Sequence, residues 1–175
     1  MEGNSAGVSS MTLEEFNQLD PETRRSQLMQ KCQCAAWAER VAAQAPFSDR
    51  KELLDVAALE WQTADEKEVL DAFAGHPQIG DLGVLKNRYA VTANAEQGQV
   101  LNADERTLVA LKDANEAYLS RYGFIFIVCA SGKSAEEMLA MISDRLKNSR
   151  ADELVNGARE QAAITELRLK KMIED

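Results

Sequence analysis

Proline and glycine, the residues that break helices, are scarce in this chain: three prolines and nine glycines across 175 residues. Long helices can therefore run undisturbed. Apolar residues recur at spacings of three and four, the period of a helix that buries one face. Start signals recur with them. Thr12 with Glu15 forms a capping box, and Asp20-Pro21 pairs a good cap with a residue suited to the first helical position. The pattern predicts helices from Pro21 to about Cys32 and through Ala35, Trp37, Val41 and Ala42 before Pro46. Ser48 reads as the N-cap of a helix carrying Leu53, Leu54, Ala57, Ala58 and Trp61. Thr63 with Glu66 reads as a second capping box, opening a helix with Val69, Leu70 and Phe73 that Gly75 ends.

Residues 78–90 are loop-like, and helical pattern resumes near Ala93, with a break at Asn102, to about Tyr122. Ser134 with Glu137 caps a helix to about Lys147, and a last helix runs from about Ala151 to Met172. The stretch from Gly123 to Cys129 is the one strand-like segment. A strand with no partner is not stable, so it reads as a buried, extended or irregular core segment. The expectation is an all-α, single-domain irregular bundle of about eight helices over residues 11–175. Residues 1–10 are small and polar and read as a disordered or expression-derived extension, with Met11 as the native start.

A net charge of −9 opposes binding to phosphate backbones, so no nucleic-acid partner is expected. No run approaches the roughly 20 apolar residues that span a bilayer, so no membrane partner is expected either. The first residues carry no apolar h-region, so no signal peptide is expected, and Ile173-Glu174-Asp175 does not read as a peroxisomal tripeptide. Cys32, Cys34 and Cys129 form no disulfide-like framework, which points to a reducing compartment and a cytoplasmic location. One histidine and dispersed cysteines leave too few ligands for a metal site. There is no P-loop, no dinucleotide fingerprint and no Gly-x-Ser-x-Gly elbow.

Three features carry chemistry. His76, the only histidine, follows the helix-ending Gly75, and Pro77 pushes it away from helical geometry to a corner between elements. Its ordinary pKa near 6.5 suits proton transfer near neutrality; the alternative is a surface or capping histidine. On a helix, Ala93, Glu96, Gln97, Val100 and Leu101 share one face, which places a carboxylate and an amide among apolar neighbours; the alternative is a solvated pair on a surface helix. Arg168 stands four residues from both Ile164 and Met172, so it lies in an apolar row. An inward guanidinium there would attract an anion to an acidic protein; the alternative is an arginine snorkelling at the rim.

The string Phe73-Ala74-Gly75-His76-Pro77-Gln78-Ile79-Gly80 resembles the signature of the OHCU decarboxylases, which act on 2-oxo-4-hydroxy-4-carboxy-5-ureidoimidazoline. Further matches follow in order: Pro46-Phe47-Ser48-Asp49, Glu96-Gln97, Tyr118 to Ala130 with its Gly-Phe-x-Phe core, Arg145-Leu146 followed by an asparagine, and Ile164 to Leu169 with Arg168. The resemblance implies an all-α homodimer that forms (S)-allantoin in urate degradation without a cofactor. It places the catalytic histidine on His76, with Glu96 as the second catalytic residue. Substrate contacts fall on Pro77, on Ala93, Asn94, Ala95, Glu96 and Gln97, on the main chain of Phe126, Ile127, Val128, Cys129 and Ala130, and on Arg168. Ala93 stands where many members have a serine, Gly98-Gln99-Val100 departs from the usual small-residue run, and Ile125 replaces a common proline. The Ala93 departure keeps open a lyase acting on a related ureide or heterocycle. A non-enzymatic helical interaction module is the other competing reading.

Overall fold

The computed structural model describes residues 10–76 and 101–174. Among these residues it contains eight helices: α1 (Leu13–Gln18), α2 (Pro21–Met29), α3 (Ala35–Ala42), α4 (Arg50–Gln62), α5 (Glu66–Ala74), α6 (Leu101–Tyr122), α7 (Ala135–Arg145) and α8 (Arg150–Met172). The fold is all-α, as expected, with one small addition. Strand β1 (Met11–Thr12) pairs in parallel with β2 (Ile173–Glu174), Met11 opposite Ile173 and Thr12 opposite Glu174. Two-residue strands leave no alternation for a sequence pattern to reveal.

Local caps decide where the helices begin. Thr12 and Glu15 form the reciprocal capping box of α1, and the Asp20 carboxylate caps α2 with Pro21 in its first turn. Ser134 accepts from the Glu137 N–H at the start of α7. Two caps differ from the sequence reading. The N-cap of α4 is Asp49, whose Oδ1 accepts from the Glu52 N–H at 2.7 Å, and Ser48 instead donates its N–H to Glu52 Oε2 at 2.9 Å. The N-cap of α5 is Asp65, which accepts from the Glu68 N–H at 2.9 Å. Thr63 turns its hydroxyl back to the Glu60 carbonyl and so serves the end of α4. In both places several short oxygen-bearing side chains compete, and the one three residues before an available N–H prevails. Helices α2 and α7 stop at Met29 and Arg145, short of the expected ends; α6 is described from Leu101, and the expected helical stretch from Ala93 to Val100 lies outside the described residues.

The described chain groups into two compact units, residues 10–75 with 159–174, and residue 76 with 101–158. In the first, Phe16, Leu28, Trp37, Val41, Leu53, Phe73, Leu169 and Ile173 are fully buried. Each large apolar side chain so buried contributes about 1.5–3 kcal/mol. The Trp37 indole N–H still finds the Ala57 carbonyl at 2.9 Å. Arg24 closes α1 by donating to the carbonyls of Phe16, Asn17 and Leu19. Asn17 exchanges two hydrogen bonds with the Phe47 main chain, both 2.9 Å, and pins the turn before α4. Gly75 caps α5 at an ordinary φ of −75°, so glycine is needed there for space. A Cβ on Gly75 would stand 2.6 Å from Gln33 Cβ.

In the second unit, α6 and α7 pack through Leu108, Leu111, Tyr118, Met138 and Ile142. At its centre lies Glu153, 0% exposed in the first turn of α8. It accepts from Tyr118 Oη at 2.5 Å, Arg145 Nε at 2.7 Å, Asn156 Nδ2 at 2.8 Å and Asn148 Nδ2 at 2.9 Å. Burial alone would raise the Glu153 pKa, but hydrogen bonds from Asn148, Tyr118, Asn156 and Arg145 outweigh it and hold the carboxyl below its ordinary value. Burial, and then the bond to Glu153, pushes the Tyr118 hydroxyl up.

Two outcomes follow. A carboxyl whose pKa is depressed by folding adds stability above its unfolded value, and that contribution is lost as pH falls through the folded value. Urea unfolding across pH is expected to show stability falling below the ordinary glutamate value of 4.5. Glu153→Gln lacks that part of the profile and is less stable at neutral pH by about 3–5 kcal/mol, because Arg145 stays buried without its counter-charge; equal stability would remove the ion pair from this account. Gly75→Ala is expected to cost about 1–3 kcal/mol by the same measurement, part of it recovered when Gln33→Gly is added.

Candidate active site

The residues singled out in the sequence fall into three groups. His76 is half-buried directly after the C-cap of α5. Phe126, Ile127, Val128, Cys129 and Ala130 form an irregular stretch between α6 and α7. Arg168 lies in the last third of α8. Pro77, Ala93, Asn94, Ala95, Glu96 and Gln97 lie outside the described residues. His76 and the 126–130 stretch belong to the second unit, and Arg168 to the first.

The 126–130 stretch has no strand assignment, in line with the sequence reading. It is bounded by Gly123 (φ 79°) and Gly132 (φ 74°), both in the left-handed region that strains other residues. Phe126 and Ile127 are buried, and the next three residues are half-buried. Side chains take the place of a neighbouring strand. Arg145 Nη1 donates to the Ile127 carbonyl at 2.6 Å, and Lys133 Nζ donates to the Cys129 carbonyl at 2.7 Å. The Ala130 carbonyl accepts from the Lys133 N–H at 3.1 Å. The Arg145 guanidinium also lies 4.6 Å over the Phe126 ring. Tyr118 meets Phe126 edge-on, with ring centroids 5.3 Å apart.

Arg168 is half-buried and donates from Nη1 to the Lys31 carbonyl at 3.1 Å. Its helix buries the row Glu153, Gly157, Gln161, Thr165 and Leu169, spaced four apart. Arg168 is one position off that row, on its flank, and Ile164 beside it is likewise half-buried. Among the described residues it has no carboxylate partner and keeps guanidinium donors beyond the one used at Lys31. Burial and then the charge of Arg168 lower the pKa of Lys31. The thiol of Cys32 is pushed up to about 12, chiefly by burial, so it is no nucleophile near neutrality. Among the described residues none of the three cysteines forms a disulfide.

Sequence reasoning passed over Glu153, Gln161 and Thr165, the buried polar residues of α8. A signal existed in their four-residue spacing, but a search for apolar rows does not register it. Arg145 was noted only as a matching residue, and its burial beside Phe126 needed the structure. The first unit has a cleft of about 340 Å³ lined by Trp61, Ala162, Leu169 and their neighbours. None of the expected site residues lines it. Among the described residues no group of His, Cys, Asp and Glu side chains is placed to hold a metal ion.

Comparison with known proteins gives this arrangement a family. Residues 17–170 match the model of the OHCU decarboxylase family. The chain is 30% identical over 147 residues to the uric acid degradation bifunctional protein TTL of Arabidopsis thaliana, covering 82% of this chain and 45% of that one. It covers 33% of the Bacillus subtilis uric acid degradation bifunctional protein PucL, so it spans less than half the length of these two relatives. A 2-oxo-4-hydroxy-4-carboxy-5-ureidoimidazoline decarboxylase of Haloferax volcanii is 26% identical over 93% of this chain and 96% of its own length. Among solved structures, one of an OHCU decarboxylase in the presence of (S)-allantoin superposes with a TM-score of 0.70 at 30% identity, covering 90% of this chain and all of that one. With its helical fold and a match that spans nearly all of its length, the chain belongs to the OHCU decarboxylase family.

Proposed function

We propose that this protein is a carboxy-lyase that converts 2-oxo-4-hydroxy-4-carboxy-5-ureidoimidazoline to (S)-allantoin and carbon dioxide in urate degradation. The observation that carries the reading is the likeness, over 90% of the chain, to a decarboxylase solved in the presence of (S)-allantoin. The domain proposed to do this covers residues 11–175.

The chemistry makes modest demands on a protein. The bond from ring carbon to carboxylate breaks, carbon dioxide leaves, and the electron pair passes into the ring C=N. A proton then arrives at carbon on one face. Because the heterocycle is its own electron sink, the proposed reaction calls for no cofactor, and the protein supplies position, charge control and a directed proton. In this reading His76 hydrogen-bonds the hydroxyl beside the departing carboxylate and acts as acid and base. Glu96 orients ureido or ring N–H groups and balances the charge of His76, and Gln97 reads polar ring edges. Pro77, Ala93, Asn94 and Ala95 are assigned as further substrate contacts. Main-chain N–H groups within Phe126 to Ala130 donate to substrate oxygens.

Arg168 is assigned to a ring carbonyl or the ureido oxygen. An arginine that gripped the departing carboxylate would stabilise the ground state and slow its loss. Its half-buried position and its spare donors support the assignment. Homodimerisation and a cytoplasmic location, which the family resemblance and the cysteines imply, complete the reading; no described helix is long and apolar enough to cross a membrane.

Chiral analysis of the product from freshly generated substrate tests the proposal: (S)-allantoin in excess over the spontaneous racemate supports it, and racemate alone overturns it. His76→Ala is expected to lose about 10²–10⁴-fold in stereospecific rate with helicity retained by circular dichroism. Glu96→Gln should turn over weakly, and a fully active variant would demote Glu96 to a structural role. Activity should survive a chelator unchanged.

A further inference from the structure

We propose that Arg145 is a positioning residue for the substrate-binding main chain, holding the Ile127 carbonyl and the Phe126 ring so that the Val128 N–H faces the substrate. The inference rests on the reading above. An irregular segment has no ladder to fix the direction of its peptide groups, so something else must fix it. Arg145, at the end of α7 and only 9% exposed, does so with two faces of one guanidinium. Its edge donates to the Ile127 carbonyl at 2.6 Å, and its central carbon lies over the Phe126 ring, 4.6 Å from the centroid. The guanidinium is itself immobilised by Glu153 at 2.7 Å, and Glu153 by Tyr118, Asn148 and Asn156.

The consequence follows from peptide geometry. The carbonyl of Ile127 and the N–H of Val128 belong to one planar trans unit and point in opposite directions. Anchoring that carbonyl on Arg145 therefore turns the Val128 N–H away from the ion pair. Lys133 repeats the device two residues later. Its Nζ holds the Cys129 carbonyl at 2.7 Å, so the Ala130 N–H faces away from the ammonium. Two N–H donors fixed before the ligand arrives suit the carbonyl or anionic oxygens of a ureide, and they need no reorganisation on binding.

Two variants test the role. R145M/E153Q removes both buried charges together, so it avoids the orphaned ion that either single change leaves. R145K keeps a charge opposite Glu153 but loses the planar fork and the stacking face. In whichever variants keep wild-type helicity and a cooperative thermal transition, KM should rise about tenfold or more, and kcat/KM should fall about a hundred-fold. Amide hydrogen exchange within residues 126–130 should quicken at least tenfold while exchange in α6 and α7 stays unchanged. A merely structural role lowers kcat through a smaller active fraction and leaves KM alone. That result, or unchanged exchange at 126–130, overturns the proposal. An inactive wild-type protein would defeat the functional reading, and the exchange measurement would still decide whether Arg145 holds the segment.

Discussion

A carboxylate and a guanidinium taken out of water together govern the second unit. Removing two ions from solvent costs several kcal/mol each, and their mutual attraction offsets this only when every remaining lone pair and proton is occupied. Glu153 meets that condition with four donors from three side-chain chemistries: a phenol, two amides and a guanidinium. Its place in the first turn of α8 adds the positive end of the helix dipole. The pair also joins elements that apolar packing alone would leave free to slide, because Tyr118 comes from α6, Arg145 from α7 and Ile127 from the irregular stretch between them.

Much of the fold was legible because it is written locally. A cap and its N–H are three residues apart, and an apolar face repeats every three or four, so short windows identify most helices and their limits. Where windows failed, the cause was competition at short range. Ser48 and Asp49 sit side by side, as do Thr63 and Asp65 with one residue between them, and only the backbone angles choose. The parallel pairing of Met11 with Ile173 was beyond reach, since two residues joined across the length of the sequence carry no local mark.

The site was legible to a different degree. His76 stood out through its neighbours, Gly75 and Pro77, and the structure places it directly after the C-cap of α5. On α8 the row through Ile164 and Arg168 is half-buried and ends on the buried Met172, beside a second row that is buried throughout. That second row carries Glu153, Gln161 and Thr165, which a search for apolar spacing does not register. Polar residues can occupy a buried row when they satisfy one another, as Gln161 and Thr165 do at 3.1 Å. The reading of 123–129 as an irregular core segment succeeded by elimination, yet elimination could not say which side chains hold it. That knowledge needed Arg145 and Lys133 in place.

The short parallel pairing of β1 and β2 makes neighbours of two stretches more than 160 residues apart in sequence. Backbone bonds there are shared, so fraying at Met11 and fraying at Ile173 are one opening event, and neither flank can loosen alone. Because the strands run parallel, polypeptide joined before residue 10 and polypeptide joined after residue 174 meet this one pair at its two opposite ends. A fusion partner at either end accordingly pulls on the same two-residue pair, from opposite sides.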